Sequence, residues 1–372
     1  MNKGKTMEEK IEIRNKENKK VRESNIELLR IVAMVMIILF HMTQYLNIYR
    51  TGTIQNQVLG TILTSMGMIG VNIFVLITGY FYIDKNIEVK KILKLWLQVL
   101  FYSIIMMLTC KMLNLRDISN YSMTKTFIPI SYANYWFISA YFMLYILIPI
   151  INEIAKKINK KTYEKLLIIV TFFFSIVYTY LYKSYYTVNI QGLSALSWLI
   201  YLYLVAGYIK LYGIKFLENK KIVLNSIIVI FTIYIGLLIF VNLKINSKKI
   251  WYFMCMNSFF VLILAILIFS LFKNIKIKSN KVINYFGGLT FAVYLIHEND
   301  LINKNFWAWI YGLVSKIIKI DYITTIMLVI ISIPLIFISA MIFEFIRKQI
   351  EKLIFRNKKL NELIEKVDEK LL

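Results

Sequence analysis

Two cysteines, three prolines and two histidines in 372 residues leave little room for several common architectures. Cys110 and Cys255 sit far apart, each inside an apolar segment, so neither a disulfide framework nor a cysteine-based metal spacing can be read, and both are expected to be packing residues. Charge is scarce too: 18% charged residues against 59% hydrophobic, with a mean hydropathy of +0.62, is more apolar surface than one soluble core could hide. A soluble fold is excluded on those grounds. Acidic residues are fewer still, 21 against 45 Lys and Arg, which in a soluble chain would suggest a nucleic-acid partner. Here the basic residues form short runs between apolar segments rather than a stripe interleaved with aromatics, so no nucleic-acid partner is expected.

What is present is a series of apolar segments long enough to span a bilayer. Ten are read, at about 26–46, 58–82, 92–112, 135–154, 166–182, 193–212, 222–241, 250–272, 282–301 and 322–345. Pro149 and Pro334 interrupt two of them, which a bundle tolerates where neighbours re-satisfy the freed carbonyl. The expected fold is all-α: a polytopic membrane bundle of about ten transmembrane helices. With the N-terminus inside, alternate loops hold 33 Lys and Arg on the inner side and 11 on the outer, so both termini are expected to be cytoplasmic.

Residues 1–25 carry eight basic side chains and no apolar core of a signal peptide; they read as a charged, disordered cytoplasmic segment, and the first apolar segment stays in the mature protein. Residues 306–320 are short for a span and are expected in the outer interface, anchored by Trp307 and Trp309. Residues 346–372 place apolar side chains at helical spacing between Lys and Arg and read as a basic amphipathic tail helix against the inner membrane face or a partner helix. No inverted repeat, heptad array or appended soluble domain is visible.

An ionisable residue in hydrocarbon costs at least about 2.5 kcal/mol and needs a reason to be there. In the first segment, SNIELLRIVAMVMIILFHMTQY, Arg30 and His41 are eleven positions apart, close to three turns, so they share one helix face about 16 Å apart along the axis. Glu27, one turn before Arg30, can pair with it. Arg30 alone also fits a cation snorkelling to the inner headgroups, and His41 a hydrogen-bonded partner between helices. Economy argues for function: both histidines, His41 and His297, fall within apolar segments. A third feature is Asn72, which with Gly70 and Gly79 interrupts the apolar run at 58–82; the glycines read as close helix packing.

At these residues the chain resembles the acyltransferase 3 family of integral membrane O-acyltransferases. Glu27, Arg30 and His41 match the family's acidic residue, basic residue and histidine in the first helix. GVNIFVLITGYF at 70–81 is similar to its GVDLFFVLSGF segment, with Asn72 in place of Asp and Thr78 in place of Ser. NYWFISAYFMLYILIPIIN at 134–152 is similar to its WFL-type segment, and FAVYLIH at 291–297 to its late SYGIYLIH element. The resemblance covers residues 26–345 as one transmembrane domain and implies transfer of an acyl group, commonly acetyl, from cytosolic acyl-CoA to a hydroxyl of a surface glycan or its lipid-linked precursor. It thus implies a multi-pass cell-membrane enzyme with acyl-CoA as donor substrate, no bound cofactor and no metal. Neutral imidazole suits the task, because an alcohol attacks only once a base takes its proton. His41 would be that base; Arg30, paired with Glu27, would hold the donor phosphates; His297 and Asn72 would orient the acceptor. A secondary transporter, a polysaccharide flippase or polymerase, and an accessory membrane protein remain alternative readings.

Overall fold

The computed structural model describes residues 22–85, 87–115, 120–132, 135–177, 179, 193–245 and 250–371. The charged N-terminal segment up to residue 21, Arg116, Asn134, Lys183, Lys248, Lys249 and most of 178–182 lie outside them. The described residues are helical without strands. In chain order the helices are α1 (Ser24–Tyr45), α2 (Ile54–Ser65), α3 (Gly67–Tyr82), α4 (Val89–Met112), α5 (Asn120–Phe127), α6 (Trp136–Lys157), α7 (Lys160–Thr171), α8 (Leu193–Tyr212), α9 (Lys215–Glu218), α10 (Lys220–Phe240), α11 (Ile250–Met254), α12 (Phe259–Asn274), α13 (Lys281–Gly287), α14 (Thr290–His297), α15 (Asn303–Ile317), α16 (Asp321–Ile354) and α17 (Lys358–Leu371). Short polar residues start several of them. The side chains of Thr53, Asn159, Asn219 and Asn280 accept from the free N–H groups that open α2, α7, α10 and α13.

Among the described residues, eight helices or consecutive helix pairs are long and apolar enough to cross a membrane, a multi-pass arrangement. The second expected span is Ile54–Tyr82, broken at Met66 between α2 and α3. One of the ten expected spans does not meet the same measure: residues 282–301 hold two short helices, α13 and α14, separated by Gly288 and Leu289. Of the expected span 166–182, the residues up to Val177 belong to α7 and a π-helical stretch at Phe172–Val177, and most of the remainder lies outside the described residues. The tenth runs on past 345 to Ile354 as α16. The 306–320 segment forms α15, and one expectation there is corrected. Trp309 is exposed, but the indole of Trp307 is fully buried against α1 and α16 residues, so it is a core side chain and not an interfacial anchor.

α1 lies at the centre. Its Leu29 and Ala33 join a core built with α3, α6, α8 and α12, whereas its Met34, Ile37, Ile38 and Met42 join a second core with α4, α14, α16 and Trp307. Small residues let its neighbours approach: a Cβ at Gly70 of α3 would stand 2.5 Å from the Ala33 carbonyl oxygen, and Gly67 of α3 lies under the Phe40 ring. Gly79 packs in the same way on the backbone of Tyr203 in α8, so both glycines expected to be packing residues are. At the periphery, α10 is only 17% buried and presents Ile228, Val229, Ile233 and Phe240, as a helix facing lipid does.

Long-range bonds sort the two ends of the bundle. At one end Arg22 donates to the Asn284 carbonyl at 3.0 Å, Asn274 to that of Leu217 at 2.6 Å and Asn152 to those of Tyr82 and Lys85 at 2.7 and 3.0 Å. Lys94 pairs there with Glu351 at 2.8 Å. At the opposite end Thr53 bonds Asp321, Asn242 reaches Tyr49 and Asn305 reaches Leu115. The lysine-rich connections gather at the first end. α17 docks there across α4: Ile364 is buried, the Val89 N–H that opens α4 donates to Asp368 Oδ1 at 2.7 Å, and Lys90 donates to Asn361 at 3.2 Å.

Candidate active site

A buried polar cluster lies toward the end opposite the lysine-rich one, where α1 meets α14. His41, near the end of α1, and His297, the last residue of α14, are both buried, and His41 Nδ1 lies 3.0 Å from His297 Nε2. α14 follows α13 after Gly288 and Leu289, and its C-terminal end brings His297 to α1. The proton positions follow from one anchor. His297 Nδ1 stands 2.6 Å from the Val293 carbonyl oxygen, which can only accept, so Nδ1 carries the hydrogen and neutral His297 presents a lone pair at Nε2. His41 must then donate from Nδ1 into that lone pair. A neutral His41 is left with its own lone pair on Nε2, a nitrogen that makes no hydrogen bond among the described residues.

A carboxylate completes the pair. Glu298, the residue after α14, places Oε2 3.2 Å from His41 Nδ1, without the alignment of a hydrogen bond, while Oε1 accepts from the Tyr45 hydroxyl at 3.2 Å. Asn303 at the start of α15 donates to that hydroxyl at 2.7 Å. Behind the pair the Tyr135 hydroxyl donates to the Leu295 carbonyl at 3.0 Å and accepts from Asn299 at 2.5 Å, fixing the entry to α6 against the end of α14. The Tyr294 ring closes the wall, with centroids 6.5 Å from His41 and 6.0 Å from His297. Such a site leaves one imidazole nitrogen as an acceptor among side chains fixed by their own hydrogen bonds, suited to taking a proton from a hydroxyl.

The other residues singled out in the sequence are placed elsewhere. Arg30, partly exposed toward the lysine-rich end, lies 3.6 Å from the carboxylate of the buried Glu27, so the expected pair forms. Glu27 is pressed beneath Gly287, where a Cβ would meet its side chain. Asn72 is not joined to the histidines: its amide donates to the Met256 carbonyl at 2.7 Å, and its oxygen accepts from the Trp198 indole at 3.3 Å. It ties α3 to α8 and to the turn between α11 and α12. Cys110 is buried with its thiol 3.7 Å from the Leu301 carbonyl, and neither cysteine forms a disulfide.

The sequence reading did not single out Tyr45, Tyr135 or Asn303. A signal was there: ENDLINKN after His297 is unusually polar for the end of an apolar run. It also passed over a second buried cluster at the lysine-rich end, in α16. Arg347 binds both oxygens of Glu344 at 2.8 Å, Tyr102 of α4 donates to Glu344 at 3.1 Å, and Glu351 joins Arg347 to Lys94.

No curated protein and no solved structure matches the chain. A family model described as an acyltransferase domain matches residues 23–345, a stretch that contains α1 to α15, most of α16, both histidines, Arg30 and Asn72. That is most of the 372 residues, and the chain therefore belongs to the acyltransferase 3 family and is a membrane acyltransferase.

Proposed function

We propose that the enzyme moves an acyl group, acetyl by expectation, from acyl-CoA to a hydroxyl of a cell-surface glycan or its lipid-linked precursor in the cell membrane. The observation that carries this reading is the His41–His297 bond, because it leaves His41 Nε2 as a lone pair held in place. The acceptor hydroxyl gives its proton to Nε2 as its oxygen bonds to the thioester carbonyl carbon, and the carbonyl electron pair moves to oxygen. The carbon–sulfur bond then breaks, and the leaving thiolate takes the proton back from Nε2. Ester and free CoA leave, and His41 returns to its starting tautomer. His297 acts here as a positioning residue, holding Nδ1–H in the tautomer that leaves Nε2 bare. The outward placement of Glu298, Asn299 and Asn303 beside the pair suits an acceptor arriving from that end.

The donor would enter from the other end. The lysine-rich end is the cytosolic one by the positive-inside rule, with both termini there, and Arg30 offers a planar cation for the phosphates of CoA while Glu27 fixes its direction. Two groups on one face of α1, about 16 Å apart along the axis, suit a long donor whose phosphates stay near the cytosol while its thioester reaches His41. The test is His41→Ala in purified enzyme supplied with acetyl-CoA. CoA release and acyl transfer should fall by about 10² to 10⁴ while CoA still binds. Activity within a few-fold of the parent would end the general-base reading.

A further inference from the structure

Among the buried side-chain groups without a hydrogen-bond partner, Tyr294 is the hydroxyl whose ring lies against both histidines. The residue is 5% exposed, and its ring is held by Tyr135 at 6.1 Å and Phe137 at 6.0 Å between centroids, so it cannot swing to seek a partner elsewhere. The other tyrosines around the pair have spent their hydrogens: Tyr45 on Glu298 and Tyr135 on Leu295. Tyr294 has not. Its ring belongs to the second core and borders both imidazoles, so the unpartnered hydroxyl is carried by a side chain that forms one wall of the histidine site. A buried hydroxyl left without a partner is unfavourable in the resting protein and becomes favourable once a ligand oxygen arrives.

On the reading of His41 as base, one part of the reaction has no group assigned to it. When the acceptor oxygen adds to the thioester, the carbonyl π pair becomes a full negative charge on oxygen, and a fixed donor aimed at that oxygen lowers the barrier. We propose that the Tyr294 hydroxyl is that donor, a second catalytic residue that bonds the carbonyl oxygen as its charge develops and keeps its own proton throughout. The ring needs no rearrangement to do so, because its neighbours already fix it. Water as nucleophile generates the same oxyanion as the glycan hydroxyl, so this role serves hydrolysis and transfer equally.

The experiment is Tyr294→Phe in the full-length enzyme, which removes one oxygen and keeps the ring. Acetyl-CoA hydrolysis and transfer to glycan should both drop about 100- to 1000-fold, while the affinity for free CoA, which has no acyl carbonyl, stays within about threefold. Replacing Tyr294 by 3-fluorotyrosine, a stronger donor of the same shape, should keep or exceed the parent rate. Hydrolysis within about fivefold of the parent in Tyr294→Phe, alongside its loss in His41→Ala, would overturn this assignment and leave the base intact. Loss of transfer with hydrolysis preserved would also overturn it, placing Tyr294 against the acceptor. Hydrolysis surviving in His41→Ala itself would remove the reading on which the proposal rests.

Discussion

Replacing His297 by alanine separates two roles that make opposite forecasts. As an acceptor-orienting residue, the expectation from sequence, His297 would matter for transfer and little for hydrolysis, since water needs no orientation by the glycan site. If His41 is the base proposed above, its bond from Nδ1 at 3.0 Å makes His297 a support of that base, and then both reactions suffer together. Removing the imidazole leaves the His41 Nδ1–H with Glu298 Oε2, 3.2 Å away and poorly aligned, as its nearest polar neighbour. Losing one buried hydrogen bond is worth about 1 kcal/mol and leaving the donor unsatisfied up to about 3 kcal/mol. At about 1.4 kcal/mol per decade, hydrolysis and transfer should each fall about 5- to 150-fold, with the KM for acetyl-CoA nearly unchanged. His297→Gln, whose side-chain oxygen can accept from Nδ1–H, should recover part of the loss. The assay is thiol release from acetyl-CoA measured with and without glycan acceptor. Transfer lost while hydrolysis continues at the parental rate would refute the positioning role and restore the acceptor role.

Arg30→Gln should raise the KM for acetyl-CoA about tenfold or more, the worth of a hydrogen bond to a charged group, with Arg30→Lys milder. Unchanged donor affinity with less protein in the membrane would instead make Arg30 a headgroup-facing cation. Arg347→Met should lower the thermal unfolding midpoint in detergent by about 4 to 6 °C, because it strands the buried Glu344 carboxylate at a cost of about 3–5 kcal/mol. Glu344→Gln in the same chain should restore part of that, and a midpoint within about one degree of the parent in Arg347→Met would contradict the buried-pair argument.

Hydropathy found the helices well because a bilayer imposes one length on all of them. It was weakest where composition and continuity part company. The 282–301 run is apolar throughout, yet it folds as α13 and α14, and the glycine pair Gly287–Gly288 at the break was the visible sign. Of the α16 charges, Glu344 falls inside the expected span and Arg347 two residues past its expected end at 345; the helix continues through both, and Glu344 is bonded by Tyr102 and Arg347. His41 and His297 each stood out alone. Their mutual bond crosses 256 positions, and no local pattern encodes a partner at that distance. Asn72 shows the converse: a polar residue in an apolar run attracts a functional reading, but Met256 and Trp198 already use both ends of its amide.

The cap that Asp368 places on α4 joins residues 279 positions apart, and it bears on how the molecule is made. α4 has no side-chain cap from its own neighbourhood, so while the chain is being synthesised its first N–H faces the aqueous interface alone. Only after hundreds of further residues have been inserted does α17 arrive to close that end. The lysine-rich face of the bundle is therefore finished late, after the histidine pair has had every element it needs. A protein halted before α17 would carry an assembled histidine pair beneath an unfinished lysine-rich rim, with the first N–H of α4 still open.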